Sequence, residues 1–165
     1  MTFADLLAGE GIFLDANPLV YHFAPDPLFG PACNQLIARA GNQQILAFTS
    51  THVLSEVAHH LMTLEASALF GWTSKVVEHL KHQPGAVQKL TNFRQAIEKV
   101  PHLSIQVLIV PTGLIATAAA ISQLYGLLSN DALIVAVMQA HGLTNLASND
   151  ADFDRVAGLT RYAPA

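Results

Sequence analysis

The sequence predicts an α/β fold in which parallel strands alternate with helices. Short apolar runs recur between longer helical stretches, and such an alternation implies right-handed crossovers between parallel strands. No internal repeat, low-complexity tract or plausible linker interrupts the 165 residues, so one layered domain spanning residues 1–165 is the economical expectation.

Taken in order, "GIFLDAN" reads as a short buried strand, Gly11 to Leu14, ending at Asp15. A helical stretch from about Gly30 to Ala40 is stopped by Gly41-Asn42. "QILAF" reads as a second strand, and Thr49 to Thr51 offers caps for a helix running to about Leu64. Residues 67 to 100 look helical in two pieces, broken at Pro84-Gly85. "IQVLIV" before Pro111 is a third strand, and Thr112 or Gly113 opens a helix ending near Gly126. A further helix headed by Asp131 ends at Gly142, "TNLAS" is a fourth strand and "LTRYA" a fifth.

The totals narrow the classes. Apolar residues make up 52% of the chain and charged residues 12%, which argues against disorder and suggests that a partner covers some apolar surface. The longest apolar run, Ala132 to Met138, is far short of the ~20 residues that span a bilayer, so no membrane is expected. "MTFADLLAGE" carries Asp5 and Glu10 and lacks a basic segment, unlike a secretory signal. The lone Cys33 excludes an internal disulfide and fits a reducing cytoplasm. A net charge of -4 weakens any case for broad electrostatic binding of nucleic acid. Five of the eight Lys and Arg residues do fall in one segment: Lys75, Lys81, Lys89, Arg94 and Lys99. A solvated helical face accounts for them more simply than a phosphate-binding patch.

The acids carry more information. Asp15 ends the first strand, and Asp150 and Asp152 follow the fourth in "ASNDADF". Ligands of open parallel sheets bind at the carboxyl ends of strands where strand order reverses. If the first and fourth strands are neighbours, Asp15 and Asp150 meet. Glu56 falls off the apolar stripe of Val53, Leu54, Val57, Ala58 and Leu61, on a face shared with His52, Ser55, His59 and His60. Asp131 stands at the head of seven consecutive apolar residues, either as a helix cap or as part of a site. Each acid taken alone has a turn, cap or solvent role to explain it. Their order is harder to obtain by chance.

That order resembles the PIN-domain family, most closely the VapC-type toxins of bacterial toxin–antitoxin pairs. "FLDANPLVYHF" is similar to the family's opening motif and "LSEVAHHL" to its glutamate helix. "GLLSNDALIVAVMQAHG" is similar to its third-acid helix and "LASNDADFDRV" to its closing acidic turn. The resemblance implies a three-layer α/β/α domain with a parallel sheet of about five strands ordered 3-2-1-4-5. It also implies a metal-dependent ribonuclease, a homodimer, and inhibition by a cognate antitoxin. By motif position Asp15, Glu56, Asp131 and Asp150 take the acidic-site roles, with Asp152 as substitute or auxiliary ligand. Ser148 stands where the family commonly has Thr, which keeps the hydroxyl. Residues 75 to 100 are the least family-like part.

The chemistry suits the residues. Phosphodiester hydrolysis needs an activated water and neutralised phosphate charge, and hard cations such as Mg²⁺ or Mn²⁺ supply both from carboxylate ligands. Carboxylates converging without a cation would repel one another and some would protonate. The expected reaction is in-line attack of metal-activated water, leaving a 5′-phosphate and a 3′-hydroxyl. Asp15, Asp131 and Asp150 would be the main metal residues, Glu56 would ligate through water or place the attacking water, and Asn17 and Ser148 would orient ligands.

Three other functions compete. An aspartate-nucleophile phosphatase would use Asp15 but needs an acid two residues on, where Asn17 stands. His52, Glu56 and His60 recur every four residues and would offer a transition-metal face, against which the α/β order argues. A non-catalytic interaction domain would keep the fold without turnover.

Overall fold

A computed structural model describes every residue from Met1 to Ala165. The chain runs β1 (Gly11–Leu14), α1 (Ala16–Phe23), α2 (Gly30–Gly41), β2 (Leu46–Ser50), α3 (Thr51–Phe70) and α4 (Val76–His82). It continues through α5 (Pro84–Val87), α6 (Asn92–Lys99), β3 (Ile105–Leu108), α7 (Thr112–Tyr125), α8 (Ser129–Ala140), β4 (Asn145–Ala147) and β5 (Thr160–Tyr162). All five strands pair in parallel, in the order β3-β2-β1-β4-β5. The chain steps outward from β1 to β3, then crosses back over β1 to β4. Right-handed crossovers therefore put α1 to α6 on one face and α7 and α8 on the other. Packing agrees: α3 contacts α1 and α6, whereas α7 lies along α8. The result is the expected three-layer α/β/α arrangement.

Central position explains composition. Ile12, Phe13 and Leu14 of β1 are fully buried, as a strand covered on both faces must be. In α8 every residue from Ala132 to Met138 is buried, which is why that run has no polar side. Its neighbour α7 buries only Ala118 and Ile121 and carries no charged residue.

Several boundaries differ from the sequence expectation. The short helix α1 was absent from it, because Asn17-Pro18 resembles a turn. Pro18 occupies the third helical position, where a missing N–H costs no intrahelical bond. Pairing with β1 and β3 draws β2 two residues later than "QILAF", from Leu46 opposite Gly11 to Ser50 opposite Leu108. Ser50 also caps α3, accepting from the Val53 N–H at 3.3 Å. Helix α3 runs to Phe70 rather than Leu64, because its last turns carry a second small core of Ala66, Val76, Leu80, Ala86 and Leu90. The segment after it forms three short helices, and Pro84 opens one of them instead of breaking a longer one. Helix α8 starts two residues before Asp131, at Ser129, with Leu128 in the capping position. Asp131 is therefore no cap; it sits in the third helical position.

Candidate active site at the carboxyl edge of β1 and β4

The reversal of strand order falls between β1 and β4, so their carboxyl ends open a crevice. Asp15 leaves β1 there, its backbone N–H bonded to the Ala147 carbonyl at 3.1 Å. Its carboxylate is 7% exposed and caps α1, Oδ1 accepting from the Ala16 N–H at 2.6 Å. Oδ2 accepts from the Ser148 hydroxyl at 2.7 Å and from the Asn17 amide at 2.8 Å. The Asn17 carbonyl in turn accepts from the Asn149 N–H at 2.9 Å, and Ser148 Oγ accepts from the Asp150 N–H at 3.0 Å. These bonds tie the end of β1 to the turn after β4. Asp150 shapes that turn by accepting from the Asp152 N–H at 2.8 Å, which begins a 3-10 turn over Ala151–Arg155.

Asp152 has a partner of its own. Arg155 Nη2 lies 2.6 Å from its Oδ1, and Nη1 of the same arginine donates to the Gly126 carbonyl at 3.2 Å. The carboxylate thus helps fasten the acidic turn to the loop between α7 and α8.

Across the crevice, Glu56 projects from the second turn of α3. Its Oε1 accepts from the Asn130 side-chain amide at 2.5 Å, and its Oε2 lies 3.9 Å from His52 Nε2. That imidazole nitrogen is buried without a hydrogen-bond partner. Asp131, one residue beyond Asn130, is half-buried. Burial first, then the charges of Asp150, Asp15, Glu56 and Asp152, push its carboxyl up to about 6. Burial also raises Asp15, opposed by its bonds from Ser148 and Ala16 and reinforced by Glu56 and Asp150. The fold thus brings Asp15, Glu56, Asp131 and Asp150 into one electrostatic neighbourhood.

No three His, Cys, Asp or Glu side chains stand close enough to enclose an ion by themselves. The acids offer oxygen donors only, the ligand type of hard cations such as Mg²⁺ and Mn²⁺, which take one or two carboxylates and keep several waters. His52, Glu56 and His60 likewise form no such cluster. The segment 75–100 keeps its basic residues exposed, with Lys75 and Arg94 paired to Glu78 and Glu98. The sequence reading missed Asn130, whose adjacency to Asp131 at a helix head was the available signal. It also missed Arg155, the basic residue of the acidic turn.

The chain matches the PIN domain over residues 12–159 and belongs to the PIN-domain family. No curated protein sequence matches it significantly. Among solved structures it is similar to VapC20 of Mycobacterium tuberculosis, a sarcin–ricin loop cleaving toxin, with 20% identity and a TM-score of 0.60. That match covers 90% of this chain and 96% of the other. A toxin–antitoxin complex from Klebsiella pneumoniae gives 21% identity, coverage of 90% and 95%, and a TM-score of 0.53. VapBC2 of Rickettsia felis, bound to a DNA fragment from its promoter, gives 17% identity, coverage of 93% and 98%, and a TM-score of 0.53. These likenesses establish the shared fold. No single helix of this chain is long and apolar enough to cross a membrane.

Proposed function

We propose that this protein is the toxin of a toxin–antitoxin pair, an endoribonuclease that hydrolyses RNA with Mg²⁺ or Mn²⁺. One observation carries the reading: pairing of β1 with β4 brings Asp15 and Asp150 to one turn through Ser148, and the Asn130–Glu56 bond at 2.5 Å joins the helix head that bears Asp131 to α3. Like charges held together at a strand-end crevice favour a hard cation. Bound there, the cation would activate water and neutralise charge on the phosphate. Asp15, Asp131 and Asp150 would hold it, in part through bound waters, and Glu56 would orient the attacking water. Asn17 and Ser148 would fix the Asp15 carboxylate, as their hydrogen bonds to it indicate. Asp152, engaged by Arg155, would serve as an auxiliary acid.

The partners follow from surfaces. A cavity of about 580 Å³, lined by Val20, Tyr21, Leu61, Leu64, Ala96 and Lys99 among others, would receive an apolar segment of the antitoxin. Tyr21 connects it to the acidic turn, its hydroxyl lying 3.5 Å from the Asn149 amide. An arginine entering the crevice from there would pair with the carboxylates where cation or substrate binds. The exposed Ile115 and Leu124 on uncharged α7, with Leu128 just beyond it, would form the homodimer face. A toxin of this kind would act in the cytoplasm.

The test uses purified protein freed of any partner. It should cut single-stranded or loop RNA, a sarcin–ricin loop oligonucleotide among the substrates, leaving 5′-phosphate and 3′-hydroxyl ends. EDTA should stop it. Undiminished cleavage at confirmed zero metal would overturn the metal role. Folded, metal-loaded protein that cuts no RNA would favour a non-catalytic interaction domain. Isolation from the native host, followed by mass spectrometry and light scattering, tests the partners; a fully active monomer recovered alone would count against both.

A further inference from the structure

Glu56 has a problem that the other acids do not. Asp15 is buried and bonded in place, whereas Glu56 projects on a longer side chain, 22% exposed, from the polar face of α3. Repulsion from Asp15, Asp131 and Asp150 would swing such a side chain outward into solvent. A single protein hydrogen bond opposes this, the one from the Asn130 amide at 2.5 Å. His52 flanks the other oxygen at 3.9 Å, too far for a hydrogen bond.

We infer that Asn130 is a positioning residue for Glu56, holding its carboxylate across the gap between α3 and α8 and so setting where it stands relative to Asp131. The inference rests on the metal-dependent nuclease reading of the same site. Three features support it. Asn130 occupies the second position of α8, a helix whose next turns are wholly buried, so the donor is mounted on a rigid support. It adjoins Asp131 in sequence, so one helix head carries both an acid of the site and the clamp on another. A neutral amide also pins a carboxylate without cancelling its charge. A lysine or arginine there would bring a cation of its own into the crevice.

Asn130→Ala and Asn130→Asp, each alone and combined with Glu56→Ala, test this. In metal-free protein, NMR should show the Asn130 side-chain amide protons spread apart and slow to exchange, and Glu56→Ala should abolish that signature. Asn130→Ala should lower kcat about 10-fold and weaken Mn²⁺ binding measured by calorimetry without RNA, with KM for RNA little changed. Asn130→Asp keeps the side-chain volume and suits the first turn of a helix, so the melting temperature should hold. Its activity should nonetheless fall at least as far, because the donor has become a like charge. In the Glu56→Ala background neither change should cost more. An Asn130 amide resembling a solvated asparagine, indifferent to Glu56→Ala, would overturn the inference. So would full activity in Asn130→Asp, or losses that multiply in the double variants. If the wild-type protein neither binds Mn²⁺ nor cuts RNA, the nuclease reading fails, and the NMR signature still decides the Asn130 contact.

Discussion

On the β1–β4 wall of the crevice, Asp15 accepts three hydrogen bonds, and Asn17, Ser148 and Asp150 are joined to it through further ones. On the α3–α8 wall, Glu56 accepts one and nothing bonded to Asp131 offsets the charges around it. The first wall is shaped by the fold alone. The second is held by helix packing and is left with unbalanced charge, so the two should respond differently to lost charge and lost donors.

The largest effect is expected on the unbalanced wall. Asp131→Asn should reduce metal-dependent cleavage by at least ~100-fold, as when a direct ligand or its support is lost. Metal-free stability should hold or rise slightly, because one charge leaves a like-charged group. Cleavage rate and melting temperature, measured together, check this; retained activity would leave Asp131 outside the site.

On the bonded wall, Ser148→Ala should do the reverse. It removes the donor to Asp15 and the acceptor of the Asp150 N–H, both at a buried position. Denaturant titration should show a loss of about 1–3 kcal/mol, with cleavage reduced roughly 10-fold.

A pH series sharpens the contrast. Asp131 binds its proton more tightly in the folded state, its carboxyl raised from 3.8 to about 6. Its ionisation therefore costs stability above pH ~6, and that cost disappears as pH falls through 6 toward 4. Metal-free wild type should gain melting temperature relative to Asp131→Asn as pH drops from 7 to 5. Mn²⁺ at pH 7 should raise the wild-type value more than that of the variant. Equal curves for the two proteins would break the comparison.

The smallest effect lies away from the crevice. Glu65 on α3 accepts from the Thr91, Asn92 and Phe93 N–H groups and so caps α6, whose own capping residue Thr91 makes no side-chain bond. Glu65→Ala should cost about 1 kcal/mol by chemical denaturation and leave cleavage unchanged.

Glu65 also shows where sequence reading stops. The cap of α6 comes from 26 residues earlier, so no local pattern announces that helix start. Strand β1 was legible because burial on both faces leaves an unbroken apolar run, and the α/β class followed from the alternation of such runs with helices. The strand order needed the family resemblance. Glu56 needed the resemblance too, because a glutamate on the polar face of a helix reads by itself as solvent-facing. The role of Asp131 as a helix cap looked plausible from sequence, and only the start of α8 at Ser129 removed it. Asn130 was hidden because its meaning lies on another helix, 74 residues away in the chain. The pairing of Asp152 with Arg155 is local, i to i+3, so its signal lies in the spacing itself.

Ser148 and Asp15 bond across a sequence separation of 133, and the strand that brings them together is synthesised long after β1. A chain still being synthesised has Asp15 and Glu56 outside the ribosome long before the turn that completes their surroundings. The crevice therefore stays incomplete until that turn has emerged. The two walls can meet only when the fourth strand is released and docks beside the first.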